Sequence, residues 1–153
     1  ILWAGGEVAP ALELGLTCYK DYLGTNRLNA RQRRHLEESG ERDYGERGSH
    51  FSNALGCEAV LITCDAQVVL LRRSGEVATH VGLYNGPSGH PEPSRAGVDS
   101  DTEVDGETTA RVKRVRDELF DSVLQEIHEE TNVPRDCLTP PRLIGCMADA
   151  TGK

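Results

Sequence analysis

Val115, Leu119, Phe120, Val123, Leu124 and Ile127 recur at helical spacing, and this is the strongest helical pattern in the chain. It predicts a helix over 117–131. The residues that follow mark its end: Asn132 tolerates the left-handed conformation of a helix stop, and Pro134 prevents continuation. A helix with one apolar stripe must bury it, so the chain has to supply a partner layer. Two short runs rich in apolar and β-branched residues, 59–64 and 67–73, are joined by Asp65-Ala66 and predict a hairpin of buried or half-buried strands. A further strand is predicted over 142–148. Strands flanking a helix place the chain in the α/β or α+β class. Upstream, 31–38 predicts a short exposed helix of mixed charge, and 40–50 is turn-rich and reads as loop.

Composition enters where the patterns stop. From 94 to 110 there is no hydrophobic periodicity, and five acids (Asp99, Asp101, Glu103, Asp105, Glu107) stand against Arg95. Such a stretch cannot bury enough apolar surface to offset ordering entropy, and it reads as a disordered insertion. It lacks the ligand spacing of a calcium loop. The formal net charge of -8 argues against a duplex nucleic-acid binder, because an acidic protein that handles phosphates must bring in cations. No apolar run approaches the roughly 20 residues of a membrane span, and the opening ILWAGG has no basic region followed by an apolar one. Five cysteines without a C-x-x-C pair indicate neither a disulfide framework nor a zinc site, so reduced thiols in the cytoplasm, or the nucleus, are expected. A start at Ile1 and a stop at Lys153 just after an apolar stretch suggest a piece of something longer.

The predicted helix carries Glu126, Glu129 and Glu130 at the border of its apolar stripe. At about 100° per residue, Glu126 and Glu130 lie one turn apart, with Glu129 to the other side of Glu126. Like charges at this spacing cost a helix about 0.2–0.5 kcal/mol, and partial burial adds to the cost. A divalent cation would remove it; a solvated acidic face is the plainer alternative.

The loop Gly86-Pro87-Ser88-Gly89-His90-Pro91-Glu92-Pro93, followed by Gln125-Glu126-Ile127-His128-Glu129-Glu130-Thr131-Asn132-Val133, resembles the signature of the Nudix hydrolases, G-x5-E-x7-R-E-U-x-E-E-x-G-U with U aliphatic. The chain departs from it in three ways. An insertion separates loop and helix, Gln125 stands in place of Arg and Asn132 in place of Gly, and Asp117 takes the register of the first Glu with Glu118 one place on. Residues 15–26, 71–74, 89–93 and 118–127 are similar, in that order, to a branch of the family that acts on uridine diphosphate sugars and carries a comparable insertion and a Gln before the first helix Glu.

That resemblance implies a Nudix-type mixed sheet sandwiched between helices, incomplete at the C-terminus, with 54–153 forming part of the domain and 1–50 packing on it and contributing to the substrate site. It implies hydrolysis of the pyrophosphate of UDP-glucose, and of UDP-galactose, to UMP and sugar 1-phosphate with Mg2+, Mn2+ being a possible substitute. It assigns catalysis to Glu126, Glu129 and Glu130, with Glu126 and Glu130 as metal ligands. Tyr19, Arg73, Ala78, Asn85, His90 and Glu92 are assigned to the substrate, Asn85 departing from the Asp usual at that place. The implied partner is a small nucleotide sugar, with neither nucleic acid nor membrane. Without the resemblance, Arg73 reads as a solvated strand end, Tyr19 as core and His90 as a turn residue. Two other readings remain: a nucleotide-binding module without turnover, and a hydrolase of another nucleoside diphosphate derivative such as ADP-ribose.

Overall fold

The computed structural model describes residues 2–3, 12–73, 82–99 and 109–147. In chain order these form β1 (Leu2–Trp3), α1 (Tyr19–Thr25), α2 (Ala30–Tyr44), β2 (Cys57–Glu58), β3 (Leu71–Arg72), β4 (Tyr84–Asn85), β5 (Ser88–Gly89), α3 (Thr109–Thr131) and β6 (Cys146–Met147), with 3-10 turns at Pro93–Ala96 and Arg135–Cys137. Helices with two-stranded antiparallel sheets make the architecture α+β; the described strands pair two by two, β1 with β6, β2 with β5 and β3 with β4, not as one mixed sheet. The chain divides into two compact units, one of residues 1–54 and 142–153, the other of residues 55–141.

In the first unit, β1 pairs with β6 in the register Leu2↔Met147 and Trp3↔Cys146. The strand expected over 142–148 is thus confined to these two described residues, and Ile144 stays exposed. Asn29 caps α2 by accepting the Gln32 N–H at 3.0 Å, a bond that satisfies one orphan donor of the first turn. The exposed helix expected over 31–38 runs on to Tyr44 and stops at Gly45, so the loop expected from 40 begins later. Thr25 and Asn26, at the end of α1, both accept the backbone N–H of Ser52 and so fix the return of the chain after α2.

The second unit is built on α3. Its buried residues, Glu118, Ser122, Val123 and Ile127, form one stripe, and Ile127 is only 5% exposed. The helix begins at Thr109, well before the predicted 117. Its first two turns carry Arg111, Lys113, Arg114 and Arg116, which lose little freedom in a helix, and Lys113 pairs with Asp117 at 2.7 Å; Val112 and Val115 alone do not carry the hydrophobic period back to Thr109. At the other end Asn132 takes the left-handed conformation (φ 58°) that its identity predicted.

Two further expectations are corrected. The hairpin over 59–73 closes only as an isolated antiparallel bridge, Ile62↔Val68, with Ile62 60% and Val68 54% exposed, so these residues are not buried strands. The second run splits: Val69 donates to Leu61, while Leu71–Arg72 turns to Tyr84–Asn85. The expected disorder of 94–110 fails at both ends, because Pro93–Ala96 is a 3-10 turn and Thr109 starts α3; residues 100–108 lie outside the described residues. Ala96, 3% exposed, is buried, and Arg114 donates to its carbonyl at 3.1 Å, contacts that composition does not reveal.

Between β4 and β5 the chain passes through buried Gly86 and Pro87. Gly86 donates to the Glu58 carboxylate at 2.8 Å, and Ala59 donates to the Pro87 carbonyl at 2.8 Å. A Cβ on Gly86 would overlap the Ala59 carbonyl oxygen, a backbone atom that cannot move aside alone. Gly86→Ala is therefore expected to lower unfolding free energy by about 1–3 kcal/mol, measured as a shift of the urea midpoint at unchanged slope.

Candidate active site

Counting by fours along α3 from Glu118 gives Ser122, Glu126 and Glu130, one slowly winding row on the helix surface. The loop 88–92 runs against that row in the opposite direction. Ser88 donates its backbone N–H to Glu130 Oε2 at 3.0 Å, and Glu92 donates its own to Glu118 Oε1 at 3.2 Å. Between these anchors Gly89 lies directly against the Glu126 carboxylate, leaving no room for a side chain.

The three carboxylates are therefore treated unequally. Glu118, 9% exposed, and Glu130 each receive a backbone donor. Glu126 is half-buried, and its pKa is raised, first by loss of hydration and then by the charges of Glu130 and Glu129, with His90 and Arg95 pulling the other way. Glu129 lies off the row, exposed, and accepts a hydrogen bond from the Gln125 amide at 2.5 Å. The trio expected to converge on one rim thus becomes a pair facing the loop, Glu126 and Glu130, with Glu129 held to one side by Gln125. Among the described residues no three His, Cys, Asp or Glu side chains form a cage for a metal ion. The pair still fits a divalent cation. Mg2+ is commonly held by one or two carboxylates plus waters and substrate phosphates, and an under-compensated carboxylate beside a second one is the hard oxygen donor set it takes.

Three of the residues assigned to the substrate come together at this loop. Asn85 donates from its amide to Ser88 Oγ at 2.9 Å, and Glu92 stands at the start of the 3-10 turn. The His90 ring bonds the Leu55 carbonyl through Nδ1 at 2.8 Å. A carbonyl only accepts, so Nδ1 carries the proton and Nε2 is left for another partner. Arg73 follows β3, its backbone tied to Leu83 and Gly82, one step beyond the Arg72↔Tyr84 pair. Ala78 lies outside the described residues. Tyr19 belongs to the other unit, where it is exposed and stacked on Tyr22 at 6.2 Å. Sequence reasoning passed over Gly89 and Glu118 as parts of the site. The i+4 count was the signal that reveals Glu118, whereas nothing local marks Gly89 as the residue that meets Glu126.

A helix that presents paired carboxylates to the backbone of a glycine-containing loop defines a class of site suited to cations and the phosphates they accompany. No family model matches the chain. It is 39% identical over 143 residues to a uridine diphosphate glucose pyrophosphatase of Mus musculus, covering 92% of this chain and 44% of that protein. The protein of the same name from Bos taurus is 42% identical over 140 residues, covering 92% and 47%. Nudix hydrolase 9 of Arabidopsis thaliana is 40% identical over 136 residues, covering 88% and 43%. The chain is thus similar to these proteins over most of its own length, and it spans slightly less than half the length of each.

Two outcomes follow from the geometry. In Gly89→Ala the flexible Glu126 side chain yields rather than the backbone, so divalent-cation affinity is expected to fall while the thermal midpoint moves less than in Gly86→Ala. Glu126→Gln should raise stability at neutral pH. A carboxyl whose pKa is higher folded than unfolded favours folding when protonated and loses that advantage as pH rises from its ordinary value of 4.5 through the folded value. The stability gained in Glu126→Gln should therefore shrink as pH falls below that window, as read by thermal melts across a pH series without added metal.

Proposed function

We propose that this chain forms part of a hydrolase that splits the pyrophosphate bond of UDP-glucose, and of UDP-galactose, into UMP and the sugar 1-phosphate with Mg2+, which Mn2+ can replace. The observation that carries the reading is the placement of Glu126 and Glu130 against Gly89 and Ser88 in a chain about 40% identical to proteins named for this activity. A divalent cation held by Glu126 and Glu130 would neutralise diphosphate oxygens and acidify a water. The chain's own groups do the rest. Glu129, oriented by Gln125, accepts the proton of the attacking water. Arg73 offers a forked contact to phosphate oxygens. His90 presents Nε2, Asn85 its amide oxygen and Glu92 its carboxylate to the hydroxyls and phosphates of the nucleotide sugar. The loop and helix would sit within a Nudix-type sandwich, in a cytoplasmic or nuclear protein; the reduced state expected of its cysteines supports that placement.

The name of the Arabidopsis relative specifies no substrate, which favours testing a second reading, hydrolysis of another nucleoside diphosphate derivative such as ADP-ribose. UMP release from UDP-glucose is expected with Mg2+ and not in its absence. Glu130→Gln should lower kcat by about 100-fold or more while ligand binding persists, since it removes a charged group at the site of chemistry. Tight binding of UDP-glucose with no turnover in the parent protein, or turnover of ADP-ribose in preference to it, overturns the assignment.

A further inference from the structure

Glu118 is a carboxylate in a place where an apolar side chain would pack: it is 9% exposed and shares the buried stripe of α3 with Val123 and Ile127. Among the described residues it forms no ion pair, in contrast to its neighbours Asp117 and Asp121. A buried charge is costly, and a hydrophobic residue of similar volume fills the same space at lower cost. What Glu118 does hold is the backbone N–H of Glu92, at 3.2 Å. A charged acceptor binds such a donor more strongly than a neutral one.

The row of α3 that meets the loop begins one turn before Glu118. Arg114 donates to the Ala96 carbonyl, Glu118 accepts from Glu92 and Glu130 accepts from Ser88, so the helix is tied at intervals to a segment running the other way. Between the last two ties Gly89 is pressed against the Glu126 carboxylate. The Ser88 tie is made by Glu130, itself one of the pair that fits a cation. The tie at Glu92 is made by a carboxylate two turns before Glu126, about 12 Å along the axis, and is independent of whatever the pair holds. We infer that Glu118 is a positioning residue for the cation site: by holding Glu92 it keeps the loop 88–92 on α3, so that Gly89 excludes water from Glu126 and the Glu126 and Glu130 oxygens are left to a divalent cation. His90 and Glu92 are carried on the same loop and are placed with it. The inference rests on the reading of Glu126 and Glu130 as cation ligands; it does not depend on the substrate being a uridine nucleotide.

The test compares the parent protein with Glu118→Gln, which keeps an oxygen to accept the Glu92 N–H, and Glu118→Met, which fills similar space without one. Amide hydrogen exchange of the metal-free full chain is expected to be about tenfold faster at Ser88 and Glu92 in Glu118→Met, with Val123 and Ile127 unchanged, and close to parental in Glu118→Gln. Mg2+ affinity by calorimetry should weaken about tenfold in Glu118→Met and by about twofold or less in Glu118→Gln. With UDP-glucose the loss in Glu118→Met should fall on KM more than on kcat, because the loop places substrate contacts. Parental Mg2+ affinity in Glu118→Met, an equal loss in Glu118→Gln, faster exchange that extends to Val123 and Ile127, or no Mg2+ binding by the parent protein overturns the inference. If exchange and Mg2+ affinity respond as expected while UDP-glucose is not hydrolysed, the positioning role stands and the uridine reading falls. If UDP-glucose is hydrolysed while Glu118→Met keeps parental Mg2+ affinity, the uridine reading stands and the positioning role falls.

Discussion

The close approach of Gly89 to the Glu126 carboxylate is the contact on which the site depends. It brings a backbone against an anion without giving that anion a donor, while the backbone donors on either side go to Glu118 and Glu130. The loop is thereby held on α3 by two ordinary hydrogen bonds, and the charge between them is left under-compensated. A buried or half-buried carboxylate without a partner is costly, and a folded chain retains one where something outside the protein completes it. That asymmetry sets Glu126 apart from Glu118 and Glu130, and the proposed cation site rests on it.

Rigidity at the site comes from short pieces of chain fixed at close intervals. Asn85 holds Ser88, Ser88 holds Glu130, Leu55 fixes the His90 ring, and Glu118 fixes the start of the turn that carries Arg95. None of these pieces is long enough to be stable alone; each strand of this unit is two residues. Their order comes from α3, whose buried stripe of Glu118, Ser122, Val123 and Ile127 gives the loop a surface to lie on. The mixture of polar and apolar residues in that stripe has a function: Val123 and Ile127 bury hydrophobic surface while Glu118 receives the loop.

What could be read from the residues followed the range of the interaction involved. The periodicity of α3 and its stop at Asn132 were legible because both are set within a few residues, as was the hairpin turn near Asp65. The start of α3 was not legible, since Val112 and Val115 among Arg111, Lys113, Arg114 and Arg116 are too few apolar residues to carry the period back to Thr109. The extent of pairing after Ile62 failed as an expectation because the second run had two partners available, Leu61 on one side and Tyr84–Asn85 on the other, and local sequence does not choose between them. The order of Pro93–Ala96 was hidden for the same reason: a polar stretch was judged by its composition, whereas Ala96 is held by contacts made far along the chain. At the site, motif likeness picked out Asn85, His90 and Glu92 beside the carboxylates, and it placed Glu129 with them although Gln125 draws that side chain off the row.

By itself the sequence determined that a helix ending near residue 131 would carry glutamates one turn apart along the edge of an apolar stripe, because helical geometry converts spacing into direction without help from the rest of the chain. It also carried the resemblance on which the proposed role of those glutamates rests. Only the tertiary structure decided which of them is satisfied and which is not. That choice turns on where a loop some 40 residues upstream lays its N–H groups, and the docking of distant backbone is fixed by packing over the whole unit and not by any local pattern.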